Sequence, residues 1–327
     1  MSDQTSLDRY VGHAFTGERF SMRSAYGKAL AELGGRFSHL VVLDADLSAS
    51  TKSSVFGKEY PERFFQMGIA ESNMLGTAAG LATSGKKPFV HSFACFVVGR
   101  FEVIKLALAY NESNVTVVGT HSGVGIGEDG YSQMGQEDLA MMRSLPNVVC
   151  VQPADDIEAA QAAAALVEHQ GPAYLRIARQ NVLRVHPSDY RFQLGKGVIL
   201  NEGSDLTLVA SGAVVGYALD AALEMEKQGL SVEVINISTI QPLDVDLLVA
   251  SARKTGAVMA IEDHSVNGGL GSAVCEALAE HHPVPVRRQG LRSFGASGTE
   301  ADNYRIHRLD VAGITEDARA FLDRVKG

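Results

Sequence analysis

The chain has 327 residues, 46% apolar, 20% charged and 7% aromatic, a mix that buries a sizeable core and excludes a disordered or low-complexity polypeptide. Asp and Glu outnumber Lys and Arg by 38 to 29, a formal charge of −9 with no basic tract; that excludes the electrostatic footprint of a nucleic-acid or anionic-membrane binder. Cys95, Cys150 and Cys275 are too scattered for a disulfide framework or a zinc site. The N-terminus lacks a signal pattern and no apolar run reaches bilayer length, so a soluble, cytoplasmic protein of two domains is expected.

In chain order, residues 1–17 show no period and are expected to form an N-terminal arm. A helix is predicted over 22–33, then a strand over 39–43 that runs into Asp44-Ala45-Asp46. Helices follow over 72–83 and 101–110, and strands over 115–120 and 148–152. Asp155 and Asp156 precede a helix over 157–168, where they suit the N-cap and first turn. A strand over 173–177 closes this series. The polar stretch 183–195 carries a proline and a glycine and marks a boundary, dividing residues 18–187 from 188–327. Strands over 206–210, 232–237 and 257–261 then alternate with helices over 216–227, 244–252 and 272–281. This alternation predicts an α/β protein of two doubly wound domains, each with a mainly parallel sheet covered on both faces.

Open parallel sheets bind ligands beyond the carboxyl ends of their strands. On the predicted elements, that rule selects residues 44–51, 68–72, the loop after Thr120, and Arg179. The loop 121–129 (HSGVGIGED) has alternating glycines, which permit close approach of backbone to a ligand. Gly268-Gly269-Leu270-Gly271 opens a helix and reads as a tight helix entrance rather than a phosphate site. Glu71 reads equally as a first-turn glutamate favoured by the helix dipole. Phe93 and Phe96 read as core aromatics, His121 as a hydrogen-bonded core histidine, and Arg179 as a surface charge. On the residues alone these alternatives stay open.

Several segments together bear on them. They are Asp44-Ala45-Asp46-Leu47-Ser48, Phe65-Gln66-Met67-Gly68-Ile69-Ala70-Glu71, Thr120-His121 followed by Gly127-Glu128-Asp129-Gly130, Leu145-Pro146-Asn147, and Ala178-Arg179-Gln180-Asn181. Glu262-Asp263-His264 precedes the second glycine cluster. In this order and spacing, from about Met22 onward, the chain resembles the C-terminal half of transketolase: a pyrimidine-binding domain (18–187) followed by a transketolase C-terminal domain (188–327). No Gly-Asp-Gly occurs in the sequence, although the family's N-terminal half holds the diphosphate and its metal through that motif. The chain therefore resembles the second subunit of a split transketolase.

The resemblance implies thiamine diphosphate as cofactor, with Mg2+ or a similar divalent ion held by the partner subunit and no metal held by this chain. It implies an N-terminal partner carrying Gly-Asp-Gly, self-association through both domains, and a heterotetramer. Glu71 matches the glutamate that hydrogen-bonds the aminopyrimidine ring and promotes its imino form. Phe93 and Phe96 match aromatics that flank that ring, with Leu47 as apolar packing and Asp46 as a polar wall. His121 matches a histidine near the reacting carbonyl, and Asp129 an aspartate that reads a sugar hydroxyl. Arg23, Ser50 and Arg179 match groups that bind the sugar phosphate. Gln133 replaces a histidine that helps hold the donor's hydroxyls, and His91 stands where a small residue is expected; both point away from the usual pentose phosphates and toward a modified sugar phosphate. The C-terminal domain is expected to supply dimer contacts. The reaction implied is transfer of a two-carbon ketol unit from a ketose phosphate to an aldose. Three alternatives are a deoxyxylulose-phosphate-synthase-like subunit, a 2-oxo acid dehydrogenase beta-like subunit, and a non-catalytic scaffold. Arg23 with Arg179 favours a phosphorylated sugar over a branched oxo acid.

Overall fold

In the computed structural model, which describes residues 18–327, several helices begin where a short polar side chain satisfies one of the first amides. Ser21 accepts from Ser24 N at the start of helix Met22–Arg36. Asp155 accepts from Glu158 N at 2.9 Å and caps Asp156–Glu168, as its sequence position predicts. Asp244 does the same for Val245–Thr255. The expected arm, residues 1–17, lies outside the described residues. Among the described residues no helix is long and apolar enough to cross a membrane.

The first half contributes β1 (Arg19–Ser21), β2 (Leu40–Asp44), β3 (Phe64–Gln66), β4 (Lys87–Phe93), β5 (Thr116–Ser122), β6 (Val149–Val151), β7 (Ala173–Ala178) and β8 (Asn181–Leu183). The second contributes β9 (Val198–Asn201), β10 (Leu206–Ala210), β11 (Val232–Asn236), β12 (Thr239–Gln241), β13 (Val258–Ser265) and β14 (Val286–Leu291). One sheet has the order β12-β6-β7-β5-β4-β2-β3, the other β14-β13-β10-β11-β9. Within each, the pairings are parallel except at one edge: β12 runs antiparallel to β6, and β9 to β11. The α/β class with mainly parallel sheets is therefore as predicted. The sequence did not foretell that β12, from the second half, completes the first sheet. It covers an edge that would otherwise expose unpaired backbone groups. Gln241 Nε2 reinforces it, donating to the carbonyls of Leu145 and Val148 at 2.8 Å each. One buried apolar cluster runs through both halves, including Leu43, Leu75 and Val117 on one side and Ile235, Val258 and Val274 on the other.

Two local differences have physical causes. Strand β4 was not predicted, because Lys87, His91 and Ser92 interrupt its apolar pattern; all three are buried. Each is instead matched by a partner on another element. Lys87 Nζ donates to Asn114 Oδ1 at 2.5 Å and to the His169 carbonyl at 2.8 Å, and burial pushes its pKa down to about 7. The helix expected over 101–110 is one α-turn, Phe101–Val103, followed by π-helical Ile104–Ala109. Wider turns free carbonyls, and the side chains of Asn111 and Ser113 donate to those of Leu106 and Ala107 at 2.9 and 2.8 Å.

The two halves meet around Arg176 of β7, which is 1% exposed. Its Nε and Nη2 donate to Asp138 Oδ2 and Oδ1 at 2.7 and 3.1 Å, and Nη2 also reaches the carbonyls of Gly135 and Asp263 at 2.9 and 3.0 Å. Tyr174 O–H donates to the same carboxylate at 2.6 Å. Burial opposes the Asp138 charge, but Arg176 outweighs it and holds the carboxyl below its usual range. Its stabilising contribution is therefore present above the ordinary aspartate pKa and lost as pH falls through the lower folded value. Asp138→Asn would leave a buried guanidinium without its counter-charge. It should lower unfolding free energy by about 3–5 kcal/mol, read from urea denaturation followed by circular dichroism.

Candidate active site at the carboxyl edge of the first sheet

Five neighbouring strands in the order β3-β2-β4-β5-β7 end on one edge of the first sheet. Glu71 follows β3, Asp46 and Leu47 follow β2, Phe93 ends β4, His121 lies in the last turn of β5, and Arg179 follows β7. The rule that selected the carboxyl ends therefore brings these residues to one sheet edge. Two of the backbone positions there are unusual for side-chain-bearing residues: Asp46 has φ 66° and His121 φ 58°. Such left-handed residues persist only where surrounding structure over-determines them.

The loop after β2 is held from beneath. Asp44, fully buried, accepts from Leu47 N at 2.6 Å, Thr51 Oγ1 at 2.8 Å and Ser53 Oγ at 2.7 Å. Asp46 N donates to Gln66 Oε1 at 2.7 Å, while its side chain is exposed. Leu47 and Ser50 are half-buried.

Glu71 opens helix Glu71–Thr83, which has no side-chain cap, and is only 5% exposed. Ser92 Oγ donates to its Oε1 at 3.1 Å and is its one hydrogen-bond partner among the described residues. The next residue, Phe93, stacks on Phe96 with centroids 5.6 Å apart, and more closely on His121 at 3.6 Å and 22°. Phe93 is buried and Phe96 half-buried, so one ring of the pair remains accessible. They are therefore not simply core aromatics. His121 Nδ1 lies 2.9 Å from Thr120 Oγ1. Burial, reinforced by Arg23 and Arg179, drives its pKa down to about 3, so the imidazole is neutral at physiological pH.

Arg23, in the first turn of Met22–Arg36, reaches back to this edge. Nη1 donates to the Ser50 carbonyl at 2.6 Å and Nη2 to the Arg179 carbonyl at 2.9 Å, leaving a buried Nε with no partner. Burial and the neighbouring Arg179 hold its pKa below the usual guanidinium value. Among the described residues, two cations and a neutral histidine thus cluster with no carboxylate bonded to them, an arrangement suited to an anion. Asp129 is exposed and Gln133 half-buried. No side-chain hydrogen bond joins either to this cluster among the described residues.

Other features differ from the residue-level reading. His91 is fully buried within β4, where Nδ1 faces the Leu43 carbonyl at 3.1 Å and Nε2 the Tyr26 hydroxyl at 2.6 Å. A carbonyl only accepts, so Nδ1 carries the proton and Tyr26 O–H donates to Nε2. His91 is thus a core pin between the first helix and the sheet. Two glycines of the 121–129 loop make room for protein side chains: a Cβ on Gly123 would sit 2.0 Å from Asp263 Oδ2 of the second half, and one on Gly125 2.3 Å from Gln180 Nε2 of the first. The glycines at 269 and 271 make room for Glu262, whose carboxylate accepts from Leu270 N at 2.7 Å and Gly271 N at 3.0 Å. The helix entrance is closed by an internal carboxylate, as the tight-entrance reading predicts. Ser92 was not singled out, its only signal being adjacency to Phe93; Asp44 and Thr120 stood in the selected strand-end segments but were given no role of their own.

Residues 18–184 match the family described as transketolase, pyrimidine binding domain, and residues 195–314 match transketolase, C-terminal domain. The chain is 40% identical over 283 residues to a 6-deoxy-6-sulfo-D-fructose transketolase subunit of a Clostridium species, covering 86% of this chain and 88% of the relative. It is 36% identical over 305 residues to an apulose-4-phosphate transketolase subunit of Phocaeicola vulgatus, covering 92% and 97%. A solved split gene transketolase, described as an inactive beta4 tetramer, superposes with a TM-score of 0.86 at 43% identity, covering 94% of this chain and 98% of that one. The carboxyl-edge site therefore lies on a chain of the transketolase family, the pyrimidine-binding and C-terminal portion of a split, thiamine diphosphate-dependent transketolase that works as a transferase with an N-terminal partner subunit.

Proposed function

We propose that this chain, with an N-terminal subunit that carries Gly-Asp-Gly, transfers a two-carbon ketol unit from a modified, anionic ketose, of the sugar-phosphate class, to an aldose acceptor. The observation that carries this reading is the juxtaposition of a nearly buried Glu71 carboxylate, a stacked phenylalanine pair and a neutral His121 on one sheet edge. Those groups fit the pyrimidine half of thiamine diphosphate: a flat ring suits the aromatic pair, and Glu71 has acceptor capacity beyond its single bond from Ser92. When bound, that cofactor supplies the stabilised acyl carbanion equivalent that no side chain supplies. The diphosphate and its divalent ion belong, on this reading, to the partner.

Within this chain, Glu71 would hydrogen-bond the pyrimidine ring, while Phe93, Phe96 and Leu47 would orient it and exclude water. Asp46 forms a polar wall beside them. Neutral His121 can donate to a substrate oxygen from Nε2 when Nδ1 accepts from Thr120. Arg23, Arg179 and Ser50 bind the anionic end of the sugar. Asp129 and Gln133 read its hydroxyls; Gln133 donates and accepts without gaining charge. Two relatives are named for transketolase reactions of 6-deoxy-6-sulfo-D-fructose and apulose-4-phosphate, which supports a modified sugar.

Reconstitution tests the whole reading. The purified chain should show no ketol transfer until the N-terminal subunit, thiamine diphosphate and a divalent ion are all added, and turnover by the chain alone would refute it. In the assembled enzyme, Glu71→Gln should reduce kcat by roughly 10²-fold or more, the range of general acid–base contributions. Unchanged turnover would remove Glu71 from the mechanism.

The state of His121 can be read without turnover. Its folded pKa of about 3 lies below the unfolded value of about 6.5. Between these, the unfolded chain binds a proton that the folded chain does not, so this residue's contribution to stability falls as pH falls. In 13C-histidine NMR spectra, the resonance missing from His121→Gln should stay at its neutral position from pH 8 to about pH 4.5. A midpoint near 6.5 would show that the ring is not held neutral.

A further inference from the structure

Four buried groups link the anion-binding edge to the second half of the chain. Gln180, the residue after Arg179, donates from Nε2 to Tyr304 Oη at 2.6 Å. Tyr304 in turn donates to Asp263 Oδ2 at 2.9 Å, and Asp263 Oδ1 accepts from Val124 N at 2.9 Å. Val124 lies three residues beyond His121. Exposures are 7% for Gln180, 0% for Tyr304, 2% for Asp263 and 0% for Val124. Gln180 Oε1 is buried without a partner, so the bond to Tyr304 is the one side-chain hydrogen bond that fixes this amide among the described residues. Gly123 and Gly125 have no room for a Cβ against Asp263 and Gln180, so the loop behind His121 is threaded between two members of the relay.

A second tie runs along the small β1–β8 ribbon, in which Ser21 pairs with Asn181 and Arg19 with Leu183. Arg23 and Arg179 both leave the chain next to its Ser21–Asn181 end. Beside the ribbon, Arg19 donates to Glu300 Oε1 and Tyr217 Oη at 3.2 Å each. Tyr217 packs edge-on against Tyr304 with centroids 5.1 Å apart. Both ties end on the same tyrosine pair of the second half.

We propose that Tyr304 is a positioning residue for substrate: held in place by Asp263, it sets Arg179 through Gln180. The C-terminal half then has a part in substrate recognition beyond the dimer contacts expected of it. The proposal rests on the reading that Arg179 binds the anionic end of the sugar. It places the effect on binding of that end, since Tyr304 touches neither Glu71 nor the aromatic pair.

The test uses the reconstituted complex with one phosphorylated and one unphosphorylated ketose donor. Tyr304→Phe keeps the ring and removes the hydroxyl. It should raise KM for the phosphorylated donor roughly three- to tenfold, the size of one lost hydrogen bond, with kcat and the unphosphorylated donor's KM within about twofold. Should Tyr304→Phe lose its cooperative melt, Gln180→Leu decides the matter, because it breaks the same link while leaving Tyr304 bonded to Asp263. A folded variant whose KM ratio between the two donors equals wild type overturns the proposal. Arg179→Ala separates the two failures. If it changes the ratio and the relay variants do not, only the relay fails; if it leaves the ratio unchanged, the anion-binding reading fails and the relay proposal with it.

Discussion

One buried cation holds this molecule in register. Arg176 sits inside the first sheet, saturates the Asp138 carboxylate, and reaches backbone carbonyls on both sides of the junction. A guanidinium removed from water is tolerable only when its charge is matched and its donors are used. Here the match requires the segment around Gly135 and Asp138 and the end of β13 to occupy fixed places. The loop that follows His121 returns through Gly135, whose carbonyl also accepts from Gly123 N at 2.7 Å. The position of the histidine loop is thereby set by a charge pair that contacts no substrate.

The same logic recurs along the carboxyl edge. Several of the groups assigned to the reaction have a polar neighbour that holds them. Ser92 bonds Glu71, Thr120 bonds His121, Asp44 gathers the Leu47–Thr51 loop, and the carbonyls of Ser50 and Arg179 hold Arg23. Asp44, Ser92 and Thr120 lie on strands buried on both faces, so they have little freedom to move. Functional side chains placed at strand ends inherit that rigidity while still facing outward, which is why parallel sheets favour this edge.

How much of this was readable beforehand depended on the kind of signal. Alternating β-branched and Ala/Leu-rich runs located most strands of both sheets, and Asp155 marked a helix start. The motif order around Asp44–Ser48, Glu71 and Arg179 identified the family. Strand β4 escaped because its buried Lys87, His91 and Ser92 look like surface residues until their partners are known. The glycines at 123 and 125 read as room for a ligand, yet the structure fills that room with Asp263 and Gln180. His91 looked like a change in substrate specificity and is a buried bond to Tyr26.

Residue order by itself determined the α/β class, the family, and the strand ends at β2, β5 and β7, because periodicity, local caps and short motifs act over a few neighbours along the chain. Only the tertiary structure decided what those residues touch. That β12 closes the first sheet, that Tyr304 bonds Gln180, and that Arg23 meets the carbonyls of Ser50 and Arg179 are contacts between residues tens to more than a hundred positions apart. Such contacts are selected by the requirement that every buried polar group find a partner, and that requirement can be met only once the whole chain has been packed.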